Sequence, residues 1–140
     1  MLTWHRLKTS IRNRFPDRRR FGRELYLSLL EDVLINAIYE DPAIGPRIEG
    51  AFNAERRSRG RDWPARAHTM VGKKRLHKLR NLVQRTLDER IPGDYIETGV
   101  WRGGCCIMMR GVLAANDERE RKVYAADSFA GLPRPNLGEG

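Results

Sequence analysis

Residues 97–104 read Glu-Thr-Gly-Val-Trp-Arg-Gly-Gly, and 23 positions after Gly104 stands a second acid, Asp127. Where a strand turns into a helix, the free N–H groups of the helix start favour an anionic or acceptor-rich group, and an acid about 20 residues further on suits ribose hydroxyls. Gly99 would end the strand with freedom for positive φ and bare backbone toward a ligand, while Gly103 and Gly104 let the helix begin close beneath it. A dinucleotide turn needs Gly-x-Gly-x-x-Gly, but the second glycine's place is taken by Trp101, whose indole would obstruct a pyrophosphate. Glu97 instead suits a sulfonium cofactor without phosphates, because a carboxylate near the turn attracts its amino and sulfonium charges. Any glycine-bearing turn between strand and helix shares this look, so the spacing alone leaves a plain structural turn open as well.

Other reactive side chains are less eloquent. Cys105 and Cys106 at the helix start are candidates for low-pKa thiols, although small residues packing under the glycine turn is the preferred reading. Trp63 is either a stacking surface for substrate or an anchor for its loop, the anchor being favoured. Arg102 is a candidate to hydrogen-bond a cofactor carboxylate, against the commoner case of an exposed arginine at a turn. His5, His68 and His77 are scattered, and no cluster of His, Asp and Glu has metal-ligand spacing.

The elements that must hold these residues follow from periodicity. A helix is predicted over 24–39, with Leu25, Leu29 and Val33 every fourth residue and Tyr26, Leu30, Leu34 and Ile38 widening the stripe. It ends at Asp41-Pro42. Residues 41–68 mix prolines and glycines with a charged stretch at 55–61, which reads as short helical pieces joined by loops, a candidate lid. Leu76, Leu79, Val83 and Leu87 mark the next helix, with Lys73, Lys74, Arg80 and Glu89 on its other faces, and Pro92-Gly93 stops it. Residues 94–98 read as a strand, 103–115 as a helix and 123–126 as a second strand. That is one βαβ unit with an expected right-handed crossover. Two parallel strands do not make a stable doubly wound sheet, so the expectation is a fragment or a sheet completed by another chain.

Composition bounds the function. At 140 residues, 40% hydrophobic and 32% charged, the chain suits one folded domain. Of the net charge of +9, residues 1–23 carry +7, from eight Lys/Arg against Asp17. A basic arm at one end, unlike a basic folded face, argues against nucleic acid as the main partner. There is no run of roughly 18 apolar residues for a membrane span, and Met1 to Ser10 lacks a secretory core, so a cytoplasmic protein is the default. The two adjacent cysteines fit a reduced compartment and exclude a disulfide framework.

The string at 96–110, Ile-Glu-Thr-Gly-Val-Trp-Arg-Gly-Gly-Cys-Cys-Ile-Met-Met-Arg, followed by Ala-Asp-Ser-Phe-Ala-Gly-Leu-Pro at 126–133, closely resembles the macrocin O-methyltransferase (TylF-type) family. Further blocks match in order: residues 26–41, Asp62-Trp63-Pro64, Ala67-His68-Thr69-Met70-Val71-Gly72, and the stretch from Arg75-Leu76 into Ile91-Pro92-Gly93-Asp94. The resemblance spans roughly residues 24–135. It implies an α/β, class I methyltransferase (Rossmann-like) fold, truncated, behind a helical N-terminal region. The division expected is a basic, flexible arm at 1–23, a helical and lid region at 24–93, and an incomplete S-adenosylmethionine-binding domain at 94–140.

The activity implied is S-adenosylmethionine-dependent, magnesium-dependent O-methylation, whose best-known examples act on a sugar hydroxyl of macrolide antibiotics. Family cofactor positions fall on Thr69 and Met70, which close over the cofactor; on Glu97, Thr98, Gly99, Val100, Trp101, Arg102, Gly103 and Gly104 around its methionine part; and on Asp127, Ser128 and Phe129 around ribose and adenine. Thr69 is also a candidate helix N-cap. The metal-binding aspartates and the general base of the family lie on later strands, so catalytic and metal residues are expected beyond Gly140. Implied partners are a small glycosylated acceptor and, as an open option, a second copy of the chain. A non-catalytic nucleotide-binding or interaction module is the alternative, and an NAD-linked oxidoreductase fragment is disfavoured by Trp101.

Overall fold

The computed structural model describes residues 17–45 and 49–131. Most of the sequence-read basic arm lies outside them, but residues 18–23 form the first turns of helix α1, Arg18–Leu34. Asp17 caps it by accepting a hydrogen bond from the Arg19 N–H at 3.1 Å. The helix therefore starts six residues earlier and stops five earlier than its apolar pattern predicts.

Its buried face also differs from the predicted one. Leu25, Leu29 and Val33 are exposed, and Leu27, Glu31 and Leu34 face the interior. Both sides of α1 are apolar, and the inward side is chosen by what packs on it. Glu31 is tolerated there because His77 and the buried Arg80 of helix α3, Gly72–Asp88, reach its carboxylate, while Arg80 also pairs with Glu24. Arg80, assigned from periodicity to an outer face, is thus an inward residue. The expected apolar positions hold, with Leu76 and Val83 buried and Leu79 and Leu87 packed against the same core.

Between α1 and α3 the chain makes short helix α2, Ala54–Arg59, and isolated bridges from Ala43 to Gly50 and Pro64. Asn53 caps α2 through the Arg56 N–H, and Gly60 ends it in the left-handed conformation. Arg57, only 1% exposed, organises the region: it meets the carboxylates of Asp41 and Asp62 at 2.7 Å each and donates to the carbonyls of Ile35 and Asp41. Burial alone would push the Asp41 carboxyl up, but hydrogen bonds from Arg57 and the Arg66 N–H overcome it and hold the group below its usual value. Where α2 meets α3 the backbones touch: a Cβ on Gly72 (φ +75°) would lie 2.2 Å from the Gly60 nitrogen.

The βαβ unit follows as β1, Tyr95–Thr98, α4, Gly104–Ala115, and β2, Val123–Ala126. The strands pair in parallel, Tyr95 opposite Val123 through Thr98 opposite Ala126. Small and flexible residues let α4 sit centrally, where Met108, Met109, Val112 and Leu113 join Leu27, Leu34, Ile35, Leu76 and Val83 in one core. The other face of the sheet is open, with Ile96 and Tyr124 exposed.

Candidate cofactor cleft

The turn after β1 is built by three glycines for two different reasons. Gly99 (φ +84°) and Gly103 (φ +81°) occupy the left-handed region with open space where a Cβ would stand. Gly104 is needed for closeness instead, since a Cβ there would lie 2.5 Å from the His68 carbonyl oxygen and 2.6 Å from Thr69 Cβ. The Gly99 N–H extends the strand ladder to the Ala126 carbonyl at 3.0 Å, and the Gly103 N–H closes the turn on the Val100 carbonyl at 3.0 Å. Trp101 also has positive φ, +51°, which a side chain with a Cβ adopts only at some cost.

Asp127, at the tip of β2, faces this turn. One carboxylate oxygen accepts the Val100 N–H at 2.7 Å and the other the Phe129 N–H at 3.0 Å. These backbone donors, Phe129 first and then Val100, hold the carboxyl below its ordinary range. Its first task is therefore to tie the two strand ends together, and the residue itself is exposed to solvent. Around it Gly99, Trp101, Asp127, Ser128, Phe129 and Gly131 line an open cleft of about 660 Å³. Phe129 is 72% exposed, an aromatic face free to meet a planar ring.

The remaining sequence-selected residues are placed around the cleft rather than in its lining. Val100 and Gly104 are buried, and Thr98 is exposed at the end of β1. Thr69 is buried and Met70 half-buried, with the preceding His68 carbonyl accepting the Gly104 N–H at 3.0 Å. Thr69 is not the helix cap: Val71 holds that position, and Thr69 Oγ1 accepts the Val71 N–H at 3.3 Å. Arg102 turns away toward the carbonyls of Pro64, Ala65 and Ala67. Trp63 lies beside Gly45, where an added Cβ would come within 3.2 Å of its Cβ, and its carbonyl accepts the Ile44 N–H, so its backbone ties the loop while the indole stays exposed.

Glu97 is half-buried on β1 and accepts a hydrogen bond from the Cys106 thiol at 2.9 Å. Burial pushes Cys105 up to about 11 and Cys106 up to about 12, the Glu97 carboxylate adding to both. The helix start therefore does not produce thiolates here, because burial and a neighbouring negative charge outweigh it. Among the described residues no group of three or more His, Cys, Asp or Glu is placed to hold a metal ion.

Two features were not foreseen from the residue types. The Asp127 clamp on the Val100 N–H needs the strand register, because acid and amide are 27 residues apart. The Arg57 network lies hidden in a charged stretch that reads only as part of short helical pieces joined by loops; its one sequence signal is an arginine between Asp41 and Asp62, each followed closely by proline.

A family model described as Macrocin-O-methyltransferase (TylF) matches residues 44–139. Over 118 residues the chain is 51% identical to the demethyldecarbamoylnovobiocin O-methyltransferase of Streptomyces niveus, covering 82% of this chain and 44% of that protein. It is 50% identical to the mycinamicin III 3''-O-methyltransferase of Micromonospora griseorubida, covering 81% of this chain and 45% of that one. The solved structure of the O-methyltransferase NovP superposes with a TM-score of 0.76 at 48% identity, over 84% of this chain and 47% of that one. The chain thus spans somewhat under half the length of the curated relatives it matches, and its fold is part of a methyltransferase fold. With its glycine turn, its acid at the tip of β2 and these matches in register, the chain belongs to the macrocin O-methyltransferase (TylF) family.

Proposed function

We propose that this chain is the S-adenosylmethionine-binding portion of an O-methyltransferase that acts on a sugar hydroxyl of a glycosylated, macrolide-like natural product. The observation that carries the reading is the Asp127 carboxylate, which anchors the glycine turn through the Val100 N–H while remaining exposed at the edge of a cleft walled by Trp101 and Phe129. Its exposed carboxylate suits vicinal ribose hydroxyls, and Phe129 offers a face for adenine. The bare backbone of Gly99 leaves room for a chain to pass over the turn. Thr69, Met70, Glu97 to Gly104 and Ser128 complete the proposed set as the surrounding shell.

S-adenosylmethionine supplies the electrophilic methyl group when bound. The contribution of these residues would be alignment: Asp127 and Phe129 would hold the nucleoside end, limiting the freedom of the bound cofactor before transfer. Magnesium and the general base are not assigned to any residue of this chain. The sugar-acceptor reading draws on the name of a further relative, the 8-demethyl-8-(2,3-dimethoxy-alpha-L-rhamnosyl)-tetracenomycin-C 4'-O-methyltransferase of Streptomyces olivaceus, which specifies a rhamnosyl-bearing acceptor.

Calorimetric titration of the chain with S-adenosylmethionine and, separately, with NAD tests the cofactor. Heat with S-adenosylmethionine alone is the expected result, and heat with NAD alone would overturn the assignment.

A further inference from the structure

We propose that Arg102 is a positioning residue that couples the 64–69 segment to the wall of the cleft, acting through Trp101 and the backbone rather than by touching the cofactor. Its guanidinium carbon lies 4.3 Å from the centroid of the Trp101 ring, a cation–π stack. One guanidinium nitrogen of the same side chain stands 2.9 Å from the Ala65 carbonyl oxygen, 3.1 Å from that of Ala67 and 3.3 Å from that of Pro64. One cation therefore grips the indole with its face and the 64–67 backbone with its edge.

Both ends of this bridge matter. Trp101 lines the cleft and sits at φ +51°, so its backbone conformation needs support from outside the residue. On the other side, residues 64–67 lead into His68 and Thr69, which form a second seam with the turn: the Gly104 N–H donates to His68, and Thr69 Cβ packs where a Gly104 side chain would stand. The His68 and Thr69 N–H groups in turn donate to the Leu34 carbonyl at the end of α1. Arg102 is thus the side-chain half of a two-seam joint that holds the helical region against the glycine turn. Its planar guanidinium can lie face-on to the indole while one edge nitrogen donates to the carbonyls, which a lysine ammonium, lacking that plane, does not reproduce.

The coupling is independent of what the cleft binds, whereas its effect on affinity rests on the S-adenosylmethionine reading. Hydrogen exchange on the 140-residue chain tests the first. Arg102→Ala is expected to speed exchange at residues 99–104, including the Gly104 amide, by about tenfold, with the amides of α3 unchanged. Unaltered exchange at 99–104 overturns the proposal. Should Arg102→Ala fail to fold, Arg102→Lys decides in its place, since it keeps the charge, loses the planar face stacked on Trp101 and must show faster exchange in the same stretch.

Calorimetry with S-adenosylhomocysteine and with methylthioadenosine, which lacks the amino-acid carboxylate, tests the second. Positioning through Trp101 weakens both by about tenfold in Arg102→Ala. Loss confined to S-adenosylhomocysteine shows a direct carboxylate contact and overturns the proposal, as does unchanged affinity for both. If the unsubstituted chain binds neither ligand, the cofactor reading fails, and the exchange measurement still decides the coupling.

Discussion

At the scale of single residues, the chemistry is governed by what each polar group already holds. Asp127 looks from its spacing like a ribose ligand, yet its carboxylate first satisfies the N–H groups of Val100 and Phe129. Replacing it would therefore remove both the proposed ribose contact and the clamp that shapes the turn. Asp127→Ala is expected to lower affinity for S-adenosylmethionine by about ten- to a hundredfold in calorimetry, with the circular dichroism of the helices unchanged. Equal affinity in variant and parent would show that the turn binds without it. The thiols make a contrasting case, because burial and Glu97 hold Cys105 and Cys106 neutral. Alkylation by iodoacetamide is expected to be slow at pH 7–8 relative to an unfolded control, rising only toward the values of about 11 and 12. For a thiol whose folded value is raised, the stabilising contribution is complete below the unfolded value and is lost as pH climbs through the folded one.

At the scale of elements, the sequence pattern located α4 and both strands to within a residue and found the buried apolar face of α3, though its stop at Pro92-Gly93 lies beyond the helix end at Asp88. Helix α1 shows where that method ends. Two apolar faces compete along it, and only the partners Arg80 and His77, brought by α3, explain why the side bearing Glu31 turns inward. The region between α1 and α3 has no periodicity to read, since it is held by Arg57 and two carboxylates rather than by an apolar stripe. Arg57→Ala leaves Asp41 and Asp62 buried without their counter-charge, and a loss of about 3–5 kcal/mol in denaturant unfolding is expected. A loss below about 1 kcal/mol would place those carboxylates in water.

At the scale of the whole molecule, α4 is the shared support, packed against α1, α3 and both strands. Truncating its core should be felt throughout: Leu113→Ala, at a fully buried position, is expected to cost about 2–5 kcal/mol in the same unfolding measurement. Acid should loosen the chain through Asp41, whose carboxyl lies below its usual value. A depressed carboxylate stabilises above its unfolded value of 3.8, and that contribution disappears as pH falls through the lower folded value. Unfolding monitored from pH 6 to pH 2 should therefore show an acid limb that Asp41→Asn flattens, at the cost of lower stability near neutrality. The sheet face carrying Ile96 and Tyr124 is exposed, whereas parallel sheets are ordinarily covered on both faces. That is in keeping with a chain spanning under half the length of its relatives.

The sequence by itself determined the βαβ order, the glycine turn, the acid 23 residues beyond it and the family, because these are local strings and short spacings that survive without coordinates. Tertiary structure alone decided which side of α1 is buried, that Arg57 and Arg80 lie inside, that Thr69 packs beneath α4 instead of capping α3, and that Arg102 reaches the 64–67 carbonyls. The physical reason is common to all four. An ionic or hydrogen-bonded partner acts over a few ångströms in space but can stand anywhere in the chain, so its identity is set by which backbones approach, and a residue's type announces only that it needs one.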